Sequence, residues 1–244
     1  MTYCVGLKLD EGIVLLSDTR TNAGIDDIAT YKKMFVFEEP EERIIVVLTA
    51  GNLSITQTTM SQVIEAIEFP SEDGLKSIEE VPTLLGVVEL LGQALSANAM
   101  NLNDKLNENG ENISACFIVG GQRKGGEMRL FLVYPEGNFI EATNDTPFLQ
   151  IGETKYGKPI LVRALEQDAT FGDSIKLLLV SFDSTMKANV SVGMPIDICT
   201  MKKDQYQVNK QIRIEKNDPY FQKISNGWGE SLKKSIKKLP PFNF

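Results

Sequence analysis

Histidine is absent from this chain of 244 residues. Its absence excludes Ser-His-Asp and Cys-His catalysis, which both need an imidazole base. It also excludes zinc and iron sites that are built on histidine ligands. Any hydrolytic reaction of this protein must therefore take its general base from another group.

Cysteine is scarce, and its three positions suggest neither a disulfide framework nor a metal site. Cys4, Cys116 and Cys199 lie far apart in apolar, strand-like segments and form no metal-binding pair. Because the count is odd and the spacing irregular, we expect reduced, buried thiols, as in a cytosolic protein. We expect no metal and no other cofactor.

Excess positive charge and long apolar runs are also missing. The net charge of −8 disfavours nucleic-acid binding, which needs a clustered positive field. The basic run at 233–238 falls on a helical pattern and is interpreted as a solvated face. There is no secretory signal and no apolar run of about 18 residues that could span a membrane. A cytoplasmic location, without a membrane partner, is expected.

The remaining composition, 42% hydrophobic and 24% charged, is typical of a globular protein. No linker-like stretch divides the chain, so we predict one domain over residues 1–244. The Pro- and Glu-rich segment 69–74 is interpreted as a loop.

Hydrophobic periodicity predicts strands bunched in hairpins and helices in pairs. The predicted helices cover 53–68, 82–107, 155–165, 171–187 and 220–237. The predicted strands cover 2–9, 12–18, 28–31, 33–37, 43–50, 113–120, 128–134, 139–142, 196–202 and 206–214. This order favours an α+β fold in which two antiparallel sheets face each other and helices cover their outer faces, a four-layer αββα sandwich.

Position 2 carries the most information about chemistry. Thr2 follows Met1 and opens the first apolar strand. Methionine aminopeptidases remove an initiator Met before a small residue, and this would leave a threonine with a free α-amine and a β-hydroxyl. The hydroxyl is a nucleophile, and the amine, with a pKa near ~8, is a base for it. Met-Thr alone is common, so the prediction depends on the residues that follow.

Three further residues complete a catalytic unit that needs no imidazole. The turn Asp10-Glu11-Gly12 predicts a hairpin, which returns Asp18 to the start of the first strand, beside Thr2. Lys33 supplies a cation that stabilises the developing alkoxide, and Asp18 holds that cation. Gly51 ends a buried strand, and its N–H is a candidate oxyanion donor.

These residues resemble the pattern of proteasome β-subunits, which are N-terminal-nucleophile hydrolases. The matching pieces are Thr2, Glu11-Gly12, the segment 18–24 (Asp-Thr-Arg-Thr-Asn-Ala-Gly), Lys32-Lys33 and Ala50-Gly51. A closer resemblance is to the bacterial Anbu (ancestral β-subunit) peptidases. It rests on the opening Met-Thr-Tyr-Cys-Val, on Tyr-Lys-Lys-Met at 31–34, and on segments 151–160, 181–186 and 192–197, and it covers nearly the whole chain.

The resemblance implies a threonine-type peptidase with the N-terminal-nucleophile hydrolase fold. It implies Thr2 as nucleophile and base, and it gives Lys33, Asp18 and Gly51 the roles derived above. It also implies that Asp183 and Ser184 occupy the place of an Asp and a Ser near the terminal amine. Because Thr2 directly follows Met1, no autoproteolytic maturation is expected. Where proteasome β-subunits have Gly-Ser-Gly, this chain has Gly152-Glu153-Thr154, so the serine that assists proton transfer is missing.

The resemblance further implies peptides or unfolded proteins as substrates and a homo-oligomer, either a ring or an open spiral. Contacts between subunits are expected on the helical faces 53–68 and 82–107. An ATPase or adaptor is a possible further partner. The substrate cleft is expected to be lined by Thr21, Asn22, Ala50 and Asn52.

Other readings of the same residues stay open. The chain is alternatively a non-catalytic or latent scaffold subunit, because a fold does not fix a function, or an amidohydrolase of a small molecule. Retention of Met1 would block the amine of Thr2. Asp183 and Ser184 would, in the simpler reading, be surface residues of a helix.

Overall fold

The computed structural model describes residues 2–23, 27–70, 74–106 and 113–243. Met1, Gly24 and Asn107, which enter the predictions above, lie outside the described residues. The helices are α1 (Leu53–Glu68), α2 (Leu84–Leu106), α3 (Lys158–Ala164), α4 (Phe171–Ala188) and α5 (Pro219–Lys237). The strands are β1 (Tyr3–Lys8), β2 (Gly12–Asp18), β3 (Arg20–Ala23), β4 (Asp27–Thr30), β5 (Met34–Glu39), β6 (Arg43–Gly51), β7 (Ala115–Arg123), β8 (Arg129–Val133), β9 (Phe139–Glu141), β10 (Phe148–Gly152), β11 (Ile196–Lys202) and β12 (Val208–Ile214).

Two five-stranded antiparallel sheets form the centre of the molecule. The first sheet has the order β10-β1-β2-β11-β12, and the second has the order β5-β6-β7-β8-β9. A separate two-stranded ribbon pairs β3 with β4. The hairpin of β1 and β2 pairs Cys4 with Ser17 at its open end and Lys8 with Ile13 near its turn. This register places the end of β2 beside the start of β1, as the sequence predicts.

Three apolar layers hold these elements together. One fills the space between the sheets, a second lies between the second sheet and helices α1 and α2, and a third lies between the first sheet and helices α3, α4 and α5. Side chains of β2 alternate between two of these layers: Leu15 lies between the sheets and Leu16 lies under the helices. The predicted αββα sandwich is therefore confirmed.

The sequence did not predict strands β3 and β10. Strand β10 has only five residues, contains no β-branched residue besides Ile151, and pairs along one edge with β1. Its place in the sheet depends on contacts with residues almost 150 positions earlier, such as Cys4 with Ile151. The shift in α3, which begins at Lys158 rather than at 155, follows from the turn that precedes it.

Among residues 2–23, 27–70, 74–106 and 113–243, no helix combines the length and the apolar character needed to cross a membrane.

The three thiols are free, and burial makes each of them a weak acid. Cys4 and Cys199 are buried and Cys116 is half-buried. Burial raises the pKa of Cys116 to about 11 and that of Cys199 to about 12, and it raises the pKa of Cys4 well above its ordinary value. Since the thiolate is the reactive form, all three should react slowly in the native protein.

We expect the native protein at neutral pH to react slowly with Ellman's reagent, Cys116 first, because it alone is half-buried. Addition of denaturant should release three equivalents of thiol, one for each cysteine in the chain. Rapid native labelling of Cys4 or Cys199 would contradict the packing of the inter-sheet layer.

Candidate active site

Asp18, the last residue of β2, is the centre of the candidate site. Its Oδ1 accepts a hydrogen bond from the backbone N of Tyr3 at 3.1 Å and from Lys33 Nζ at 2.8 Å. Its Oδ2 accepts a hydrogen bond from the N–H of Gly193 at 3.3 Å. The carboxylate is fully buried. Asp18 therefore joins the start of β1, the cation of Lys33 and the loop before β11 at one point.

The Asp18–Lys33 pair is an ion pair that the fold shields from water. The side chains of Lys33 and Asp18 are 5% and 0% exposed. Burial raises the pKa of Asp18 above its ordinary value, and the positive charge and hydrogen bond of Lys33 oppose that rise. Removing one partner from such a pair leaves an uncompensated buried charge.

Lys33 is held from two further directions. Its Nζ donates a second hydrogen bond to the carbonyl oxygen of Arg20 at 2.6 Å. Its own carbonyl accepts a hydrogen bond from Thr49 N at 2.9 Å, which continues the β5–β6 ladder past Met34. The side chain thus reaches from the edge of the second sheet to the end of the first, where β1 begins.

Thr2 lies at this junction and is 8% exposed. Its carbonyl oxygen accepts a hydrogen bond from Glu153 N at 2.6 Å. Gly152, which precedes Glu153, has a φ of +84°, and a Cβ built on it would overlap the carbonyl of Thr2. Only glycine fits this close approach at low cost, so the end of β10 fixes the backbone of the candidate nucleophile.

Substitution of Gly152 provides a test of that contact. We expect Gly152→Ala to lower the free energy of unfolding clearly more than Gly125→Ala does, as measured by urea denaturation. Gly125 is the matched control because its φ is also positive, at +75°, but nothing lies within 4 Å of a Cβ built there. The control should lose about 1 kcal/mol from backbone conformation alone. Equal losses would mean that the close approach to Thr2 is unimportant for stability.

Gly51 is the last residue of β6, the strand whose Thr49 is hydrogen-bonded to Lys33. Thr49 is bonded to Lys33, and Gly51 lies two residues further along, paired with Ala115. Gly51 is exposed and has a φ of +110°, and a Cβ there would overlap the carbonyl of Ser114. Glycine is therefore required by the backbone at the position predicted to donate to an oxyanion.

Asp183 and Ser184 lie on α4 and take no part in the hydrogen bonds described above. Asp183 is buried, and Lys187 Nζ lies 3.1 Å from its Oδ2 without hydrogen-bond geometry. Within the described residues, no hydrogen bond or ion pair joins Asp183 or Ser184 to Thr2, Asp18 or Lys33. Their predicted roles near the terminal amine stay predictions.

The four predicted substrate residues are spread around the end of the sandwich. Thr21 lies in the β3–β4 ribbon, paired with Ala29. Asn22 follows it in β3, but its side chain lies outside the description. Ala50 packs into the layer between the sheets. Asn52 caps helix α1 by accepting a hydrogen bond from Ile55 N.

Sequence reasoning gave no role at the site to the loop 189–195, which follows α4 and contacts Asp18 through Gly193. Gly193 donates its N–H to Asp18, Arg20 Nη1 donates to the carbonyl of Val190 at 2.9 Å, and Thr19 Oγ1 donates to the carbonyl of Pro195 at 2.8 Å. A Cβ at Gly193 would overlap the guanidinium of Arg20. The signal in the sequence was Gly193-Met194-Pro195, a loop pattern that gives no indication of its distant partner.

A buried phenol supports the same region from the helical side. The hydroxyl of Tyr3 lies 2.8 Å from Ser181 Oγ on α4 and accepts a hydrogen bond from Gln150 Nε2 at 2.6 Å. Burial raises the pKa of Tyr3 to about 12, so the phenol stays neutral at physiological pH. It fixes β1 between β10 and α4, immediately after Thr2.

Two surface cavities lie elsewhere. One of about 720 Å³ opens between α1 and α2, and one of about 550 Å³ opens between α3, α4 and α5. Neither is lined by Thr2, Asp18 or Lys33. In the described part of the chain, no group of three or more His, Cys, Asp or Glu side chains is placed to hold a metal ion.

The fold is shared at full length with solved structures of Anbu proteins. An Anbu (Gly-1) mutant from Hyphomicrobium sp. strain MC1 is 42% identical, with 100% of both chains covered and a TM-score of 0.92. Anbu from Yersinia bercovieri is 39% identical over 99% of this chain and 100% of that one, with a TM-score of 0.89. Anbu from Pseudomonas aeruginosa, described as a helical assembly, is 41% identical over 99% and 98% of the two chains, with a TM-score of 0.91. Comparisons with protein-family profiles and with curated proteins gave no match.

Two antiparallel sheets between helical layers, with Thr2 at the buried start of the first hairpin, make up the N-terminal-nucleophile hydrolase fold of proteasome-related proteins. Identity of about two fifths along the full length is far above what a shared fold alone requires. The chain belongs to the Anbu (ancestral β-subunit) family.

Proposed function

We propose that this protein is a threonine-type peptidase whose nucleophile is Thr2 after removal of Met1. The observation that carries this proposal is the buried Asp18–Lys33 ion pair, whose carboxylate is bonded to the backbone N of Tyr3, the residue next to Thr2. Burying an ion pair costs desolvation free energy, so a contribution to stability does not by itself explain why the pair is present. A chemical role for Lys33 beside a hydroxyl nucleophile accounts for it.

The proposed reaction proceeds through an ester-linked acyl-enzyme. The hydroxyl of Thr2 attacks a peptide carbonyl while the α-amine accepts its proton, and Lys33 stabilises the developing negative charge. The N–H of Gly51 donates to the tetrahedral oxyanion. The ammonium then returns the proton to the leaving amine of the peptide. Water, activated by the same amine, hydrolyses the ester and frees Thr2.

We propose that the substrates are extended peptides or unfolded proteins, bound at the end of the sandwich around which Thr21, Asn22, Ala50 and Asn52 are spread. We also propose that the chain assembles with copies of itself into a ring or an open spiral, since the related Pseudomonas aeruginosa protein forms a helical assembly. An ATPase or adaptor partner and a cytoplasmic location stay predictions, as does a single domain over 1–244.

The first experiment is intact-mass measurement with N-terminal sequencing, followed by turnover assays. Loss of one Met, with Thr at the terminus, is the expected result. A panel of fluorogenic peptides should then be cleaved, while a parallel panel of small amides should not, which separates a peptidase from a small-molecule amidohydrolase. Retained Met1 would leave the amine in a peptide bond and would favour a latent or scaffold subunit.

A further inference from the structure

Glu153 is a buried acid directly opposite the candidate nucleophile. The last pair of the β1–β10 ladder joins Tyr3 to Gly152, so Glu153 is the next residue along and faces Thr2. Its N–H donates to the carbonyl of Thr2 at 2.6 Å. Glu153 is 6% exposed. A residue with a carboxyl side chain, shielded from bulk water, thus pairs through its backbone with Thr2.

The partner of this carboxyl group is an amide rather than a cation. Asn189 Nδ2 donates to Glu153 Oε2 at 2.9 Å. Within the part of the chain that the structure describes, no ion pair joins Glu153 to a Lys or Arg side chain. Asn189 also begins the loop whose Gly193 N–H donates to Asp18. Glu153 is therefore tied to Thr2 through the backbone and to the Asp18 site through this loop.

Among the described residues around Thr2, the buried charged side chains other than Glu153 have ion-pair partners. Asp18 is paired with Lys33, and on α4 Asp183 lies 3.1 Å from Lys187. The guanidinium of Arg20 donates to the carbonyl of Val190. Two weak acids nearby stay neutral, because burial raises the pKa of Cys116 to about 11 and that of Tyr3 to about 12.

A buried carboxylate without a cation is costly, and such groups in proteins are normally paired. Removal of Met1 would create a further cation at this point, the α-ammonium of Thr2. We propose that the Glu153 carboxylate, held in place by Asn189, is the counter-ion of the Thr2 α-ammonium and a positioning residue for that amine. The proposal rests on the proposed function to the extent that Met1 must be removed.

This pairing would act in the step where the amine is charged. When the hydroxyl of Thr2 attacks, its proton moves to the α-amine, and the resulting ammonium is stabilised by Glu153 until the proton passes to the leaving group. The carboxylate also restricts the orientation of the amine relative to the hydroxyl. Glu153 occupies the position at which proteasome β-subunits have the serine of Gly-Ser-Gly. A carboxyl group therefore replaces a hydroxyl group there.

The test measures the pKa of the α-amine directly. The native full-length protein is acylated with a trace of acetic anhydride over a range of pH, and the modified N-terminal peptide is quantified by mass spectrometry. We expect the amine pKa to fall by about one unit in Glu153→Gln, because loss of the proposed opposite charge shifts a pKa by that order. The glutamine retains an acceptor for Asn189, so this variant removes charge without removing the hydrogen bond.

Two further variants complete the design. Asn189→Ala should lower the amine pKa by a smaller amount, because the carboxylate keeps its charge but loses its support. Glu136→Gln, at an exposed turn between β8 and β9, should leave the amine pKa unchanged. An unchanged amine pKa in Glu153→Gln would overturn the proposal and leave the proposed function intact. Retention of Met1 in the unmodified protein would overturn both.

Discussion

Thr2→Ala should abolish peptide turnover while leaving the fold unchanged. We expect kcat to fall about 10³-fold or more, since loss of a catalytic nucleophile removes the covalent route and leaves only binding and oxyanion stabilisation. Alanine is small enough to permit removal of Met1, so the amine is retained and only the hydroxyl is lost. The measurement is kcat/KM on a cleaved fluorogenic peptide, with circular dichroism and thermal unfolding as checks of the fold.

Thr2→Ser is the matched control for this variant. It retains both the hydroxyl and the α-amine and should keep a substantial part of the activity. Turnover by Thr2→Ala equal to that of the unmodified protein would exclude Thr2 as the nucleophile. Equal loss in both variants, with the fold intact, would point to a contact of the threonine methyl group in place of nucleophilic attack.

Lys33→Met should reduce both activity and stability. The substitution removes the charge that we propose acts on the Thr2 hydroxyl, and it leaves Asp18 buried without its cation. We expect kcat/KM to fall by at least about 10²-fold, because the loss of an electrostatic contact to a developing alkoxide costs that much. We also expect the free energy of unfolding to fall by about 3–5 kcal/mol, the cost of breaking a buried ion pair by removing one partner.

The double variant Asp18→Asn with Lys33→Met separates the two effects. With both charges gone, stability should recover in large part, because no buried ion is left unpaired. Activity should stay as low as in Lys33→Met. If the double variant regained turnover, Lys33 would be a structural residue and the proposed chemistry would lose its activator. If the single variant were as stable as the unmodified protein, the pair would not be buried as described.

Hydrophobic periodicity and turn residues in the sequence predicted a large part of the fold. The hairpin turn at Gly12 and the alternating strands around it predicted that Asp18 lies beside the start of β1, and the register from Cys4–Ser17 to Lys8–Ile13 agrees. Helix α1 begins and ends at the predicted residues, with Asn52 as its N-cap. These features depend on residues that are close together in the sequence, where periodicity and capping are informative.

Partners far apart in the chain could not be predicted in the same way. Glu153, Asn189 and Gly193 reach the site through β10 and the loop 189–195, which are at least 130 residues from Asp18 along the chain. Nothing in their local periodicity indicates which strand end they will meet, and only the resemblance related Glu153 to the site, at the position of the proteasome serine. The hydrogen bonds of Asn189 to Glu153 and of Gly193 to Asp18 became visible only in the structure, while the roles that the resemblance implies for Asp183 and Ser184 stay predictions.

The most direct test of a nucleophile that combines hydroxyl and α-amine on one residue is reaction with a peptide epoxyketone, followed by intact-mass and tandem mass spectrometry. The hydroxyl adds to the ketone and the amine opens the epoxide, so a ring adduct forms only if both groups are free on the same residue. The account predicts one adduct per chain, located at Thr2, and none in Thr2→Ala. A protein that carries Thr at its N-terminus and binds the peptide but forms no adduct at Thr2 would contradict it.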